Sequence, residues 1–467
     1  MTGARNSSLK RRFGSIALLL LLLAVGLLSA GWPNGITKTG GKVELGDVAW
    51  MLTATGLVML MTPGLSFFYG GMVRGKNVIS TMLQSFIALA VISLVWVVVG
   101  FGLAFGPDVG GVIGDPRGFL LLRGMTSEPH AALSPTIPLS LFALFQLKFA
   151  IITPALITGA FAERVRFSAY LLFMVLFTVV IYAPLAHSTW HPDGFLHRWG
   201  VLDFAGGTVV HVSAGIAALA GARYFGRRKD VESHDPANIP LVLLGTGMLW
   251  FGWFGFNAGS ALAANGTAIS AFLTTNTASA AATVAWLLCD GIRGRKPSAL
   301  GACVGAVVGL VAITPAAGFV GLGSSIAIGA IGAIVSNVAV HLKTKSEIDD
   351  TLDVFPCHGV GGLVGMVLTA VFATEGGLIT GSSKLLGTHL LALVIVVPTV
   401  YVVAHLLYRF VDAVIPLRVE HDEEALGLDL SQHDESIYEQ RPASSLDLES
   451  VASAPIESLH SAGSMPA

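Results

Sequence analysis

The chain is laid out as long apolar blocks separated by short polar stretches. From residue 45 onward, eleven blocks reach about 20 residues, the length of a bilayer crossing. They lie at 47–70, 79–105, 138–161, 168–187, 203–225, 240–262, 267–289, 298–316, 320–342, 356–374 and 386–413. Lipid offers no partners to an open backbone, so each block is predicted to be a helix. The fold class expected is an all-α polytopic membrane protein with eleven transmembrane helices. Residues 1–30 read differently: "LKRRF", the short apolar core "SIALLLLLLAVGLL" and "SAGW" have the order of a signal peptide, with an uncleaved first helix as the alternative. Residues 31–45 then form an external segment, 46–413 the membrane domain, and 414–467 a tail whose end is expected to be disordered.

Composition agrees with this layout. Of the 467 residues, 53% are hydrophobic and 12% charged, about half the charge of an ordinary soluble domain. Mean hydropathy is +0.73. The 55 glycines suit helices whose backbones approach closely. A formal charge of −2 with no basic stripe argues against a nucleic-acid partner. Cys289, Cys303 and Cys357 are scattered singly, which implies neither a zinc site nor a disulfide framework.

The connecting loops give an orientation. Thirteen Lys or Arg residues, among them Arg74, Arg164, Arg228 and Lys343, fall on one side, against Arg117, Arg123, Arg198 and Lys384 on the other. The positive-inside rule therefore places the N-terminus outside and the tail in the cytoplasm. For a bacterial cell this is the inner, or plasma, membrane.

Ionisable residues inside apolar blocks are costly and mark function more often than packing. Asp203 precedes His211 by eight positions, and Asp350 precedes His358 by eight. The two histidine blocks run in opposite directions, as an inverted repeat of helices 1–5 and 6–10 requires. Within a helix, eight residues leave Asp203 and His211 about 12 Å apart along the axis, so they do not form a pair. Asp203 suits the start of its helix, where a carboxylate accepts from free N–H groups; contact with a passing cation is the other reading. Two imidazoles meeting at the repeat interface can share one proton and pass hydrogen bonds to a small polar substrate.

The stretches "DFAGGTVVH", "FQLKFAIITPALITGAFAERVRF", "GWFGFNAGS", "GACVGAVVGLVAITPAAG" and "DVFPCHGVGG" occur in an order that resembles the ammonium transporter family (Amt/Mep/Rh), on its bacterial Amt side. The resemblance covers residues 46–440 or so. It implies a homotrimer with a narrow pore through each subunit, lined by His211 and His358. It further implies an external aromatic cage for the cation at Phe149, Trp190 and Ser260, and a gate formed by Phe149 and Phe256. Asp203 matches the family's vestibule-side aspartate, buried and mostly structural, and Asp350 is its counterpart in the repeat. No cofactor and no metal are implied. Ammonium, or its analogue methylammonium, is the implied substrate, the bilayer the surroundings, and a PII-class regulator the implied partner of the tail "LRVEHDEEALGLDLSQHDESIY", which by the same resemblance packs across neighbouring subunits.

Other features stand beside that pattern. Lys148 adjoins Phe149 and is expected to point about 100° away from the pore. His187 and His191 have an i, i+4 spacing but lack a third ligand of metal-binding type. One more residue separates Trp190 from Asp203 than in the family's best-known pattern. An ammonium sensor on the same fold, and a membrane enzyme or haem protein using the two histidines as ligands, are the competing readings. The second of these predicts a coloured protein.

Overall fold

The computed structural model describes residues 15–27, 41–125, 127–229 and 235–437. The ends of the signal-peptide stretch, most of the external segment 31–45 and the tail beyond 437 lie outside the described residues. Ser15–Leu27 forms an isolated, exposed apolar helix.

The remainder is a helical membrane bundle. Among the described residues, nine helices are long and apolar enough to cross a membrane, from Leu45–Met72 to Lys384–Val414. The expected blocks at 203–225 and 298–316 are helical too, as Gly207–Val212 running on into Ser213–Phe225, and as Ala299–Ile313. Both lie deep in the bundle, with most of their residues buried. Neighbouring helices cover most of both, which suits the glycines and alanines they carry.

Two ends of the bundle differ in kind. One carries two small antiparallel hairpins, Asp108–Val109 with Ile113–Gly114 and Pro129–His130 with Ser134–Pro138. The other, the basic face, is laced by ion pairs. Glu163 is fully buried between Arg74, at 2.6 Å, and Arg228, at 3.0 Å. Burial opposes its ionisation, but the Arg74 hydrogen bond and the two guanidinium charges outweigh it and hold the carboxyl below its usual range. Asp349 is likewise drawn down to about 2, against burial, by its Arg228 hydrogen bond and the Arg164 charge. The buried Arg164 itself donates to the carbonyls of Ala160, Ala162 and Asp349 and to the Thr351 hydroxyl.

The early tail folds back onto this face of its own chain. Asp429 accepts from the N–H groups of Ile79 and Ser80, Glu424 pairs with Arg418 at 2.8 Å, and Arg166 reaches Glu423 at 3.2 Å. A Glu420–Glu423 capping box starts the short helix His421–Leu426. Gly427, at φ 102°, makes the turn into Leu428–His433 against Lys76, where any Cβ would collide.

Candidate functional site

Both histidine helices begin with the same local device. A buried aspartate stands first, a residue in the left-handed region follows three positions later, and a π-helical turn then carries the histidine. In one copy these are Asp203, Gly206 (φ 111°) and Gly207–Val212; in the other they are Asp350, Asp353 (φ 58°) and Phe355–Val360. The aspartates supply the missing acceptors at each helix start. Asp203 accepts from the N–H groups of Gly206 at 2.9 Å, Gly207 and Thr208 at 2.8 Å, and from the Thr208 hydroxyl. Asp350 accepts from Val354 at 3.1 Å and Phe355 at 2.7 Å. A π turn widens the helix and turns its side chains off the regular stripe, a feature found often at functional sites.

The two helices then cross at glycine. Gly215, twelve residues after Asp203, lies so close to Gly359 that a Cβ would collide with its backbone nitrogen. Gly362, twelve residues after Asp350, answers with contacts at 3.1 Å to the His211 Cβ and the Val212 side chain. Each copy thus places its twelfth position on the histidine turn of the other, which is the reciprocal contact of a two-fold arrangement.

That crossing brings the imidazoles together. His211 Nδ1 and His358 Nδ1 are 3.3 Å apart, and both rings are buried. At this distance one nitrogen carries the proton and the other accepts it. The far side of His211 is held as well: Nε2 lies 3.3 Å from Thr314 Oγ1, which also accepts from Trp253 Nε1 at 2.9 Å. Trp253 stacks on the His211 ring with 5.4 Å between centroids. Asp203 makes no contact with His211.

Towards the hairpin end, a vestibule of about 290 Å³ is lined by Phe149, Trp190 and Ser260, together with Gln146, His197 and Phe204 among others. Ser260 Oγ donates back to the Phe256 carbonyl at 2.8 Å, which leaves its lone pairs free to accept. Trp190 meets Phe149 edge-on at 5.8 Å, and its indole N–H donates to the Asp203 carbonyl at 3.0 Å. The connection from Trp190 to Asp203 contains a one-turn helix, Phe195–Arg198. Beneath the vestibule, Phe149 and Phe256 stack at 4.1 Å.

Below that pair lies a cavity lined by Phe256, His211, His358 and apolar side chains, with about 10 Å³ of free volume. This is roughly the space one water-sized molecule needs. A second cavity of the same size continues past His358, lined by Cys357, Tyr69 and Leu352 on the way to the basic face. Lys148 lines none of these spaces and is half-buried on another side of its helix. The His187 and His191 rings stack at 4.4 Å, but His187 is bound by the Ala104 carbonyl and Asp108. Among the described residues no three His, Cys, Asp or Glu side chains converge on a metal position.

A family model described as Ammonium Transporter Family matches residues 49–438. The chain belongs to the ammonium transporter family. Curated relatives are matched over nearly their whole length. The Bacillus subtilis ammonium transporter is 46% identical over 405 residues, covering 85% of this chain and 99% of the relative. Ammonium transporter Amt1 of Archaeoglobus fulgidus is 44% identical over 400 residues, covering 84% and 99%. Among solved structures of the family, Saccharomyces cerevisiae Mep2 matches with a TM-score of 0.79 and 35% identity, covering 86% of this chain and 93% of that one. A protein described as a sensor Amt protein matches with a TM-score of 0.76 and 32% identity, covering 83% and 98%. These relatives are named as transporters or a sensor, not as enzymes.

Sequence reasoning singled out the aromatic and histidine positions but passed over their supports. Trp253 and Thr314 both lie inside quoted motifs, "GWFGFNAGS" and "VAITPAAG", yet nothing in their spacing ties them to His211. Gly215 is one glycine among many.

Proposed function

We propose that this ammonium transporter family member conducts ammonium nitrogen across the plasma membrane, with the hairpin end outside and the basic face in the cytoplasm. Ammonium is held in the vestibule by the faces of Phe149 and Trp190 and by the Ser260 hydroxyl. Each cation–π contact contributes roughly 0.5–2 kcal/mol, more as water is excluded. A hydroxyl acceptor favours a cation with N–H donors over potassium, which has none. Beyond the phenylalanine pair the walls are apolar, and a bare ion there would cost tens of kcal/mol in the Born limit. Losing the proton at the cage removes most of that cost. Ammonia then passes Phe149 and Phe256 in single file along the imidazoles of His211 and His358, with His358 Nε2 open to hydrogen-bond it, while the histidine pair offers the proton its own route.

Asp203 serves this scheme from behind: it holds the Gly207–Val212 turn and, through its carbonyl, the cage tryptophan. We further propose that residues 1–30 are a removed signal, that all eleven helices cross the bilayer, that three subunits associate, and that the early tail is where a PII-class regulator acts. The alignment of vestibule, stacked phenylalanines and paired imidazoles in one line carries the transport reading.

Its test is uptake of labelled methylammonium in cells stripped of their own transporters. Wild type is expected to restore uptake and Asp203→Ala to abolish it; normal uptake by Asp203→Ala at normal protein levels overturns the scheme. A sensor on the same fold is the second reading, favoured by the likeness to the sensor Amt protein. It predicts ammonium binding to purified protein without rescue of uptake.

A further inference from the structure

His389 is fully buried near the start of Lys384–Val414, away from the pore and the cage. Both of its ring nitrogens are committed. Nε2 accepts from the Leu202 N–H at 3.0 Å, so the ring proton sits on Nδ1, which donates to the Met366 carbonyl at 2.8 Å. The two partners belong to different halves of the molecule. Leu202 immediately precedes Asp203, and Met366 lies eight residues beyond His358 on the same helix, with its sulfur 2.9 Å from where a Gly207 Cβ would stand. One neutral imidazole therefore ties the loop entering the first copy of the repeat to the helix of the second.

What this tie controls follows from the bonds already in place. The Gly207–Val212 turn is held by the Asp203 carboxylate through bonds of its own. Trp190 is different, because its indole hangs on the Asp203 carbonyl, in the peptide unit whose Phe204 N–H donates to the Pro315 carbonyl at 3.1 Å. The segment carrying that carbonyl thus has two restraints, His389 at Leu202 and Pro315 at Phe204, and loosening the first leaves the carboxylate bonds of the histidine turn in place.

We propose that His389 is a positioning residue for the cation cage, a role that rests on the transport reading above. It sets how well ammonium is held in the vestibule, and the passage beyond the phenylalanine pair is indifferent to it. His389→Phe keeps the ring volume and removes both hydrogen bonds; His389→Gln restores one donor and one acceptor. In the full-length protein, His389→Phe is expected to raise the apparent KM for methylammonium about ten-fold, the scale of one lost buried hydrogen bond. The maximal rate should stay within about two-fold, and Gln should recover most of the KM. Hydrogen exchange of purified protein should rise over residues 200–208 in the Phe variant alone.

A wild-type KM in His389→Phe overturns the proposal. So does a loss of rate shared equally by Phe and Gln, which marks the residue as packing. Should the Phe variant not accumulate, His389→Asn, too short to reach both partners, takes its place with the same expectations. A wild type that takes up no methylammonium overturns the transport reading by itself. The exchange comparison then still decides the tether, and unchanged exchange refutes it.

Discussion

The two copies of the aspartate–histidine device share a backbone and differ in what surrounds it. Asp203 is ringed by N–H groups and the Thr208 hydroxyl, and among the described residues no Lys or Arg pairs with it. Asp350 receives two N–H groups, while Lys343 binds its carbonyl at 2.7 Å and the Asp353 carboxylate at 2.8 Å. Burial pushes the Asp350 carboxyl up to about 6, against the pull of Lys343. Where one copy turns on Gly206, the other turns on Asp353, a non-glycine residue held left-handed. The shared part brings two imidazoles to one point. The divergent part makes the hairpin end a well-capped helix start beside an aromatic vestibule, and the basic end a titratable, ion-paired mouth. Symmetry here sets position, and departure from symmetry sets chemistry.

The sharpest way to break that contrast is to delete each aspartate and compare stabilities by denaturation of the purified protein. Asp203→Ala strands several buried donors and is expected to cost on the order of 3–5 kcal/mol. Asp350→Ala strands two and relieves a buried carboxyl, so its cost should be about 1–2 kcal/mol. Equal losses would mean that the two capping sites are equivalent after all.

Next in size is the crossing. At Gly215 the atoms in the way are the backbone of Gly359, which cannot swing aside. Gly215→Ala should therefore exceed the usual 1–3 kcal/mol of overpacking, while Gly362→Ala, facing side-chain carbons at 3.1 Å, should fall near or below its lower end. Similar losses at the two glycines would contradict the close approach described for Gly215.

The Asp350 carboxyl also gives the basic end a pH signature. Its pKa in the folded protein lies above the ordinary value of 3.8, at about 6. The folded state therefore binds the proton more tightly, and that contribution is complete below pH 4 or so and lost as pH rises through 6. Relative to Asp350→Asn, wild type should weaken across this window by on the order of 2–3 kcal/mol. Parallel pH curves for the two proteins would show that the carboxyl is not raised.

The smallest effect is expected at the left-handed turns. Gly206→Ala meets both a strained φ and the Val210 side chain at 2.7 Å, for about 1–2 kcal/mol. Asp353→Gly gains backbone ease and loses an ion pair that is a quarter exposed, so it should change stability by less than about 1 kcal/mol. A large loss there would make the Lys343–Asp353 pair a main support of the basic mouth.

Much of this was legible in the linear pattern. Blocks of bilayer length announced a helical membrane bundle, because lipid leaves the backbone no other solution. The eight-residue interval from Asp203 to His211 and from Asp350 to His358 disclosed a repeat. The periodicity did not show the π turns, since a single widened turn leaves the apolar pattern intact. Nor did it single out His389, a lone histidine near a helix start with no recurring spacing to mark it. Thr314 and Trp253 were likewise silent, because their importance lies in which ring they touch.

The sequence by itself determined what must be buried, what must cross and which residues recur, since hydrophobicity and spacing are properties of the chain alone. Only the tertiary structure decided that His211 and His358 stand 3.3 Å apart, that Phe149 lies on Phe256, and that Trp190 hangs from the Asp203 carbonyl. Those are distances set by how the helices pack, and the first of them depends on how closely glycine lets two oppositely directed helices cross.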